Sequence, residues 1–273
     1  MFKISYYDFH THTSFSGDCK YTMETMIQQA IKHKFVKLCF TDHYDYDYPS
    51  TPELAFDIDL PNYHKSFLQL KAKYKNQIKL LFGIEVGLQP HIYDITKQTI
   101  DSYPFDFVIA STHVVDRLDP YFGSYYENKT KKEAYSRYLE DIYHNVTHYD
   151  DYNVYGHLDY IIRYGHYDDK KLYYHDHKEV IDKILSRIIE TGHGIELNTS
   201  GYRKNFNEPH PNIDIIKRYR QLGGEIITIG SDAHYPEHLA YNFDIAYEVL
   251  HDCGFKYFTV FEKRKPDYIK IPI

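Results

Sequence analysis

The sequence contains no tryptophan and only three cysteines, Cys19, Cys39 and Cys253, among 273 residues. An odd number without C-x-x-C spacing argues against a disulfide framework and reads as free thiols in a reducing compartment. No run of 18 apolar residues is present, so no membrane-spanning segment is expected. The first residues run directly into M-F-K-I-S-Y-Y-D-F-H, without an apolar signal core and cleavage site. Secretion is therefore not expected, and a cytoplasmic location is. No run of five or more Lys and Arg occurs and the formal charge is -7, which counts against a stable nucleic-acid partner. No long linker and no internal repeat divides the chain, so residues 1–273 are read as one domain able to bury a sizeable core.

What is plentiful is tyrosine and histidine, 31 and 18 residues respectively. The tyrosines are scattered through every segment and read as cover for core edges rather than as a stacking platform. Histidines in polar stretches, such as His64, His144, His148, His175, His177 and His251, need no function. Others fall where short apolar runs end, and these carry information.

Those runs are Ile4 to Phe9, Val36 to Phe40, Ile78 to Phe82, Phe107 to Ala110, Val154 with Tyr155, Gly194 to Leu197 and Glu225 to Ile229. Amphipathic stretches separate them. Thr22 can cap a helix whose apolar positions Met23, Met26, Ile27, Ala30 and Ile31 follow the helical period. Further helical patterns cover Lys131 to His148, Lys178 to Thr191, Ile213 to Leu222 and Glu237 to Cys253. Tyr257 to Phe261 can supply one more strand. Strand–helix alternation predicts a parallel sheet. Polar motifs at nearly every strand end favour a closed α/β barrel, with its site at the carboxyl ends, over an open sheet with one switch point.

His10 and His12 lie two apart at a strand end and so share a face. Asp42 with His43, Glu85, His113, His157, and Asp232 with His234 occupy comparable positions. A single strand-end histidine usually bonds to backbone; the whole set predicts a metal site. Imidazoles and carboxylates without thiolates suit Zn, Mn or Fe. Six histidines and the carboxylates Asp18, Glu85 and Asp232 are too many for one ion and could fill two or three. Such a centre suits a phosphoester ligand electrostatically.

The ordered motifs H-T-H-T-S-F-S-G-D, T-D-H, G-I-E-V-G, S-T-H, G-H-L-D and G-S-D-A-H resemble those of the PHP (polymerase and histidinol phosphatase) superfamily. Within it, E-L-N-T-S-G-Y-R-K and G-H-L-D-Y-I-I-R-Y resemble the histidinol-phosphate phosphatases of histidine biosynthesis. The resemblance implies a distorted (β/α)7 barrel with a trinuclear centre and hydrolysis of L-histidinol phosphate. It places His10, His12, Glu85 and Asp232 on one ion; Glu85, His113 and His157 on a second; Asp18, His43 and His234 on a third. Asp18 departs from the His of many relatives. Arg163 and Arg203 are implied as phosphate holders, and Asp232 or His234 as the group that assists proton transfer to the leaving oxygen. Asp42 and Asp159 could orient ligand histidines from behind, while Cys19 reads as a free loop thiol. Action on another small phosphomonoester, or on nucleic-acid ends, is the alternative within the same superfamily.

Overall fold

The computed structural model describes residues 5–49, 56–204 and 206–272. Its elements run β1 (Tyr7–Asp8), α1 (Met23–Lys32), β2 (Lys37–Phe40), β3 (His43–Tyr44), α2 (Leu60–Tyr74), β4 (Lys79–Gly87), α3 (Tyr93–Asp101) and β5 (Phe107–Ser111). There follow α4 (Lys131–His148), β6 (Val154–Tyr155), α5 (Lys178–Glu190), β7 (Gly194–Asn198), α6 (Ser200–Arg203), α7 (Ile213–Gln221), β8 (Ile227–Gly230), α8 (Phe243–Asp252), β9 (Tyr257–Glu262) and β10 (Lys265–Lys270). Ile4, the start of the first expected strand, lies outside the described residues.

Local chemistry accounts for the helix starts. The Thr22 hydroxyl accepts from Thr25 N ahead of α1, whose Met23, Met26, Ile27 and Ala30 are buried. Thr130 and Glu133 form a reciprocal capping box at α4, satisfying two backbone donors that the first turn would leave unpaired. The apolar runs become strands buried along most of their length, as a sheet covered by helices requires.

The sheet order is β1-β2-β4-β5-β6-β7-β8, with β3 pairing the upper half of β4 off this path. Every pairing in it is parallel. Its two edges meet: Phe9 N donates to Ile229 O at 3.2 Å, Asp232 N to His10 O at 2.8 Å and His12 N to Ala233 O at 3.0 Å. The Asp8 carboxylate clasps this seam by accepting from Ser231 N at 2.9 Å and Ala240 N at 3.0 Å. Burial raises its pKa to about 6 against those hydrogen bonds. The expected distorted seven-stranded barrel is thus present, and its closure sets the first histidine motif against the last.

Several features differ from the sequence reading. The run expected to stop at Phe82 continues to Gly87, so Glu85 lies inside β4 rather than beyond it. Gly83 looked like a strand end; in fact a Cβ there would come within 2.7 Å of Phe40 O, and glycine allows the close approach of β2. The helix expected from Glu237 starts only at Phe243, after a short 3-10 turn at Pro236–His238. The last apolar run pairs with β10 as an antiparallel hairpin outside the barrel sheet. That hairpin is hooked to the start of β5 through Lys263 N and Arg264 N, which donate to Asp106. Among the described residues no helix is long and apolar enough to cross a membrane.

Phe107 meets Phe9 edge-on at 5.2 Å and stacks on Phe261 at 5.2 Å, tying the hairpin to the barrel interior. Phe107→Ala is expected to cost about 3–5 kcal/mol, because the cavity opens under both rings. Urea unfolding should show a lower midpoint with an unchanged slope; an unchanged midpoint would mean the stack contributes nothing.

Candidate metal centre

The carboxyl ends of the strands gather the histidines around one carboxylate. Glu85 is fully buried. Its Oε1 lies 2.9 Å from His157 Nε2 and 3.3 Å from His113 Nε2, and its Oε2 lies 3.2 Å from His10 Nε2 and 3.0 Å from His43 Nδ1. His12 Nε2 stands 3.6 Å from Glu85 and 3.5 Å from Asp232 Oδ1. Its ring stacks between His43 at 4.3 Å and His234 at 4.2 Å. Asp18, one third exposed, closes the rim with Oδ2 3.0 Å from His234 Nε2 and 3.8 Å from His43 Nε2. All nine residues expected as ligands therefore converge.

Four triads have ligand atoms within 4.8 Å of one another: His12, His43 and His234; His10, His157 and Asp232; His10, His12 and Glu85; His43, Glu85 and His113. The third agrees with the expected first ion. The others distribute His12, His43 and His157 differently from the sequence expectation, and Asp18 joins none of them.

The donor set fits cations physically. Among the described residues His12 Nε2 and His157 Nδ1 are buried without a hydrogen bond, a costly state for a polar atom, and His43 Nδ1 and His234 Nε2 face the carboxylates of Glu85 and Asp18 at 3.0 Å. Burial would raise the Glu85 carboxyl, but His10, His43 and His113 hold it well below the usual range. Burial would likewise depress His10 and His113; Glu196 and Glu85 hold the first, and Asp45 and Glu85 the second, well above the ordinary histidine value. His43 is held up to about 9 by Glu85 and Asp18 against burial. His12 goes the other way, lowered by burial and by His234 and His43. Protons on these histidines supply positive charge that divalent ions would otherwise provide.

Behind the cluster stand residues that the sequence reading did not single out. Glu196 Oε1 sits 2.6 Å from His10 Nδ1, which turns Nε2 toward Glu85. Its berth exists because Gly230 has no side chain; a Cβ there would overlap the carboxylate. Asp45 plays the same part for His113, at 2.7 Å from Nδ1, in space left by Gly87. A signal existed for Asp45: it lies two residues beyond His43 and shares its face.

The two carboxylates expected to orient ligands do other work. Asp42 accepts from Thr13 N at 2.6 Å and Ser16 Oγ at 2.8 Å, and reaches His12 only through Ser16. Asp159 touches no expected ligand: it holds His210 Nδ1 at 2.7 Å and Asn212 N at 3.0 Å. Cys19 is a buried free thiol whose Sγ faces His234 O at 3.3 Å.

A cleft of about 480 Å³ opens over the cluster. Arg163, Arg203 and Lys204 are among its lining residues. Arg163 Nη2 donates to Asp232 Oδ2 at 2.8 Å and Ser200 Oγ at 2.7 Å, leaving Nε without a partner among the described residues. Arg203 spends Nη1 and Nη2 on the carbonyls of Ser231 and Asp232, at 2.7 and 2.9 Å. Burial would raise the Asp232 carboxyl, yet Arg163 and His10 hold it well below its ordinary value.

The barrel and its histidine–carboxylate mouth define a metal-assisted hydrolase of the PHP class. A family model described as the PHP domain matches residues 8–200, and the chain belongs to that family. A histidinol-phosphatase of Lactococcus lactis subsp. lactis is 33% identical over 264 residues, covering 95% of this chain and 96% of the relative. A probable histidinol-phosphatase of Clostridium acetobutylicum is 36% identical over 263 residues, covering 96% of this chain and 99% of the relative. The crystal structure of the Lactococcus lactis histidinol phosphate phosphatase, complexed with Zn, L-histidinol and phosphate, superposes with a TM-score of 0.88 at 33% identity. It covers 95% of this chain and 98% of that one.

Two expectations follow. Glu196→Gln keeps the shape but loses the charge behind His10; zinc affinity, read by competition with a chromophoric chelator, should fall about 10–100-fold. Equal affinities would assign Glu196 no part in holding His10. Secondly, His10, His43 and His113 have raised pKa values, so they carry protons in the cation-free protein at neutral pH. A ligating imidazole must lose its proton, so apparent affinity rises with pH and loading expels protons. Calorimetry of zinc binding at pH 7 in buffers of different ionisation enthalpy should therefore give buffer-dependent heats, with net proton release. Buffer-independent heats would contradict the protonated cluster.

Proposed function

We propose that this chain is a metal-dependent histidinol-phosphatase that hydrolyses L-histidinol phosphate to L-histidinol and phosphate in the cytoplasm. The observation that carries the reading is the convergence of five imidazoles on buried Glu85 beneath a cleft with guanidinium groups on its wall. The similarity to a phosphatase complexed with Zn, L-histidinol and phosphate supplies the substrate.

His10, His12, Asp18, His43, Glu85, His113, His157, Asp232 and His234 are proposed to hold two or three divalent ions, with Zn, Mn and Fe all compatible with nitrogen and oxygen donors. Bound there, such ions would lower the pKa of a water, offset phosphate charge and steady the leaving oxygen. The rest of the work falls to the chain itself. Arg163 offers an unpartnered Nε to a phosphate oxygen and stays aligned through its ion pair with Asp232. Arg203 supports the same loop by its carbonyl contacts and adds positive charge to the phosphate side. Asp232 and His234, 3.5 Å apart, form the proton-handling pair at the leaving oxygen. The walls formed by Tyr48, Phe56, Tyr121 and Tyr164 restrict water around the bound ester.

The test is phosphate release from a panel of phosphomonoesters. Histidinol phosphate should have the highest kcat/KM, exhaustive chelation should abolish turnover, and readdition of Zn or Mn should restore it. Chelation should also lower the thermal transition, since ions that bind only the folded state add to its stability. Activity that survives chelation, or a panel in which histidinol phosphate ranks among the poorest esters, would remove the assignment.

A further inference from the structure

Four carboxylates line the cleft, and three of them face a basic side chain. Asp18 lies 3.0 Å from His234, Asp45 2.7 Å from His113 and Asp232 2.8 Å from Arg163. Asp119 differs. It is only 5% exposed, yet among the described residues it enters no ion pair. Its partners are the Tyr48 hydroxyl, which donates to Oδ2, and Tyr121 N, which donates to Oδ1 at 2.7 Å. A buried carboxylate satisfied only by neutral donors keeps an uncompensated charge, which is costly unless a cation arrives from the cleft.

The surroundings suit an organic cation rather than a metal ion. The ring of Tyr160 lies 5.3 Å from His113 and 5.2 Å from His157, and continues through Tyr164 at 5.5 Å to Tyr121 at a further 5.3 Å. This aromatic wall leads from the candidate ligands toward Asp119, and ring faces attract ammonium and imidazolium groups. Arg163 and Lys204 lie against the first two rings of that wall, Arg163 Cζ 5.1 Å from the Tyr160 centroid and Lys204 Nζ 5.5 Å from that of Tyr164. The lining thus carries cations suited to a phosphate and, beyond Tyr121, a lone carboxylate.

We propose that Asp119, framed by Tyr48, Tyr121 and Tyr160, is a subsite for the positively charged group of the leaving alcohol. This inference rests on the phosphomonoesterase reading above. The protonated amine of histidinol phosphate is the group it would take; the carboxylate rejects neutral and anionic alcohols by leaving its charge buried and unpaired.

The experiment compares cationic with neutral esters on the holoenzyme, so that each variant carries its own control. The pairs are O-phosphoethanolamine against ethyl phosphate, and histidinol phosphate against its deamino analogue, 3-(imidazol-4-yl)propyl phosphate. Wild type should favour the amine-bearing member of each pair. Asp119→Asn should reduce that preference, the ratio of the two kcat/KM values, roughly tenfold or more, as expected for loss of a hydrogen bond to a charged group. Asp119→Glu, which keeps the charge, should restore part of it. Metal content and the thermal transition of each variant report whether the barrel is intact. Equal losses on both members of a pair would make Asp119 a structural residue and overturn the subsite. So would a wild type without preference for the amine. Failure to turn over histidinol phosphate alone sinks the function proposed above, whereas a persisting, Asp119-dependent preference for phosphoethanolamine would still uphold the cation subsite.

Discussion

The Glu85 carboxylate, sealed from solvent among His10, His43, His113 and His157, sets the terms for the rest of the barrel. An ionised carboxylate in such a place is tolerable only if positive charge surrounds it. The imidazoles that surround it come from strand ends between His10 and His157. The seam between β1 and β8, closed through Asp8, Phe9, His10 and Asp232, brings Asp232 and His234 to the same cluster. Closure thus completes the site. The histidines also work against each other: burial and then the charges of His234 and His43 lower the His12 pKa. Divalent cations held there would relieve that conflict, and the buried nitrogens of His12, His43, His157 and His234 would take part in holding them.

Space for this arrangement is made by missing side chains. Gly230 leaves room for Glu196, Gly87 for Asp45, and Gly83 lets β2 approach β4 closely enough for the strand to run on. None of these three needs a left-handed backbone; each is required because another group occupies the volume of its Cβ. A fixed carboxylate behind His10 and another behind His113 lock ring orientation, which a cluster of freely rotating imidazoles could not guarantee.

Much of this was legible in the sequence because ligand chemistry and strand ends coincide along the chain. Alternating apolar runs and amphipathic stretches disclosed the barrel, and the ordered motifs disclosed all nine converging residues. What stayed hidden depends on contacts between distant loops. Tyr48 and Asp119 are 71 residues apart, and Glu196 and His10 are 186 apart. Asp159 was misread for the same reason: it follows His157 by two residues, yet its side chain turns to His210 and Asn212, where it ties down the loop before α7. The run read as ending at Phe82 continues through Gly83, which only the neighbouring strand reveals as a point of close approach.

Arg163 joins the two halves of the cleft in a way that neither half discloses alone. Its Nη2 is committed to Asp232, an expected ligand and one of the two groups proposed to handle the proton, while its Nε faces no partner among the described residues. If a phosphate takes Nε, the guanidinium plane is fixed from both sides, and Asp232 is fixed with it. Substrate binding would then stiffen the carboxylate that also orders the cluster, since one planar cation cannot rotate for the phosphate without loosening its hold on Asp232. Lysine at this position could meet one demand or the other, because a point charge on a flexible stem carries no fork. On the proposed function, removing Arg163 would perturb both substrate and metal, whereas Arg203, anchored on the carbonyls of Ser231 and Asp232, would act on the metal only through the loop that it frames. The two arginines are unequal for a geometric reason, although along the chain each follows a motif-bearing strand end in the same manner.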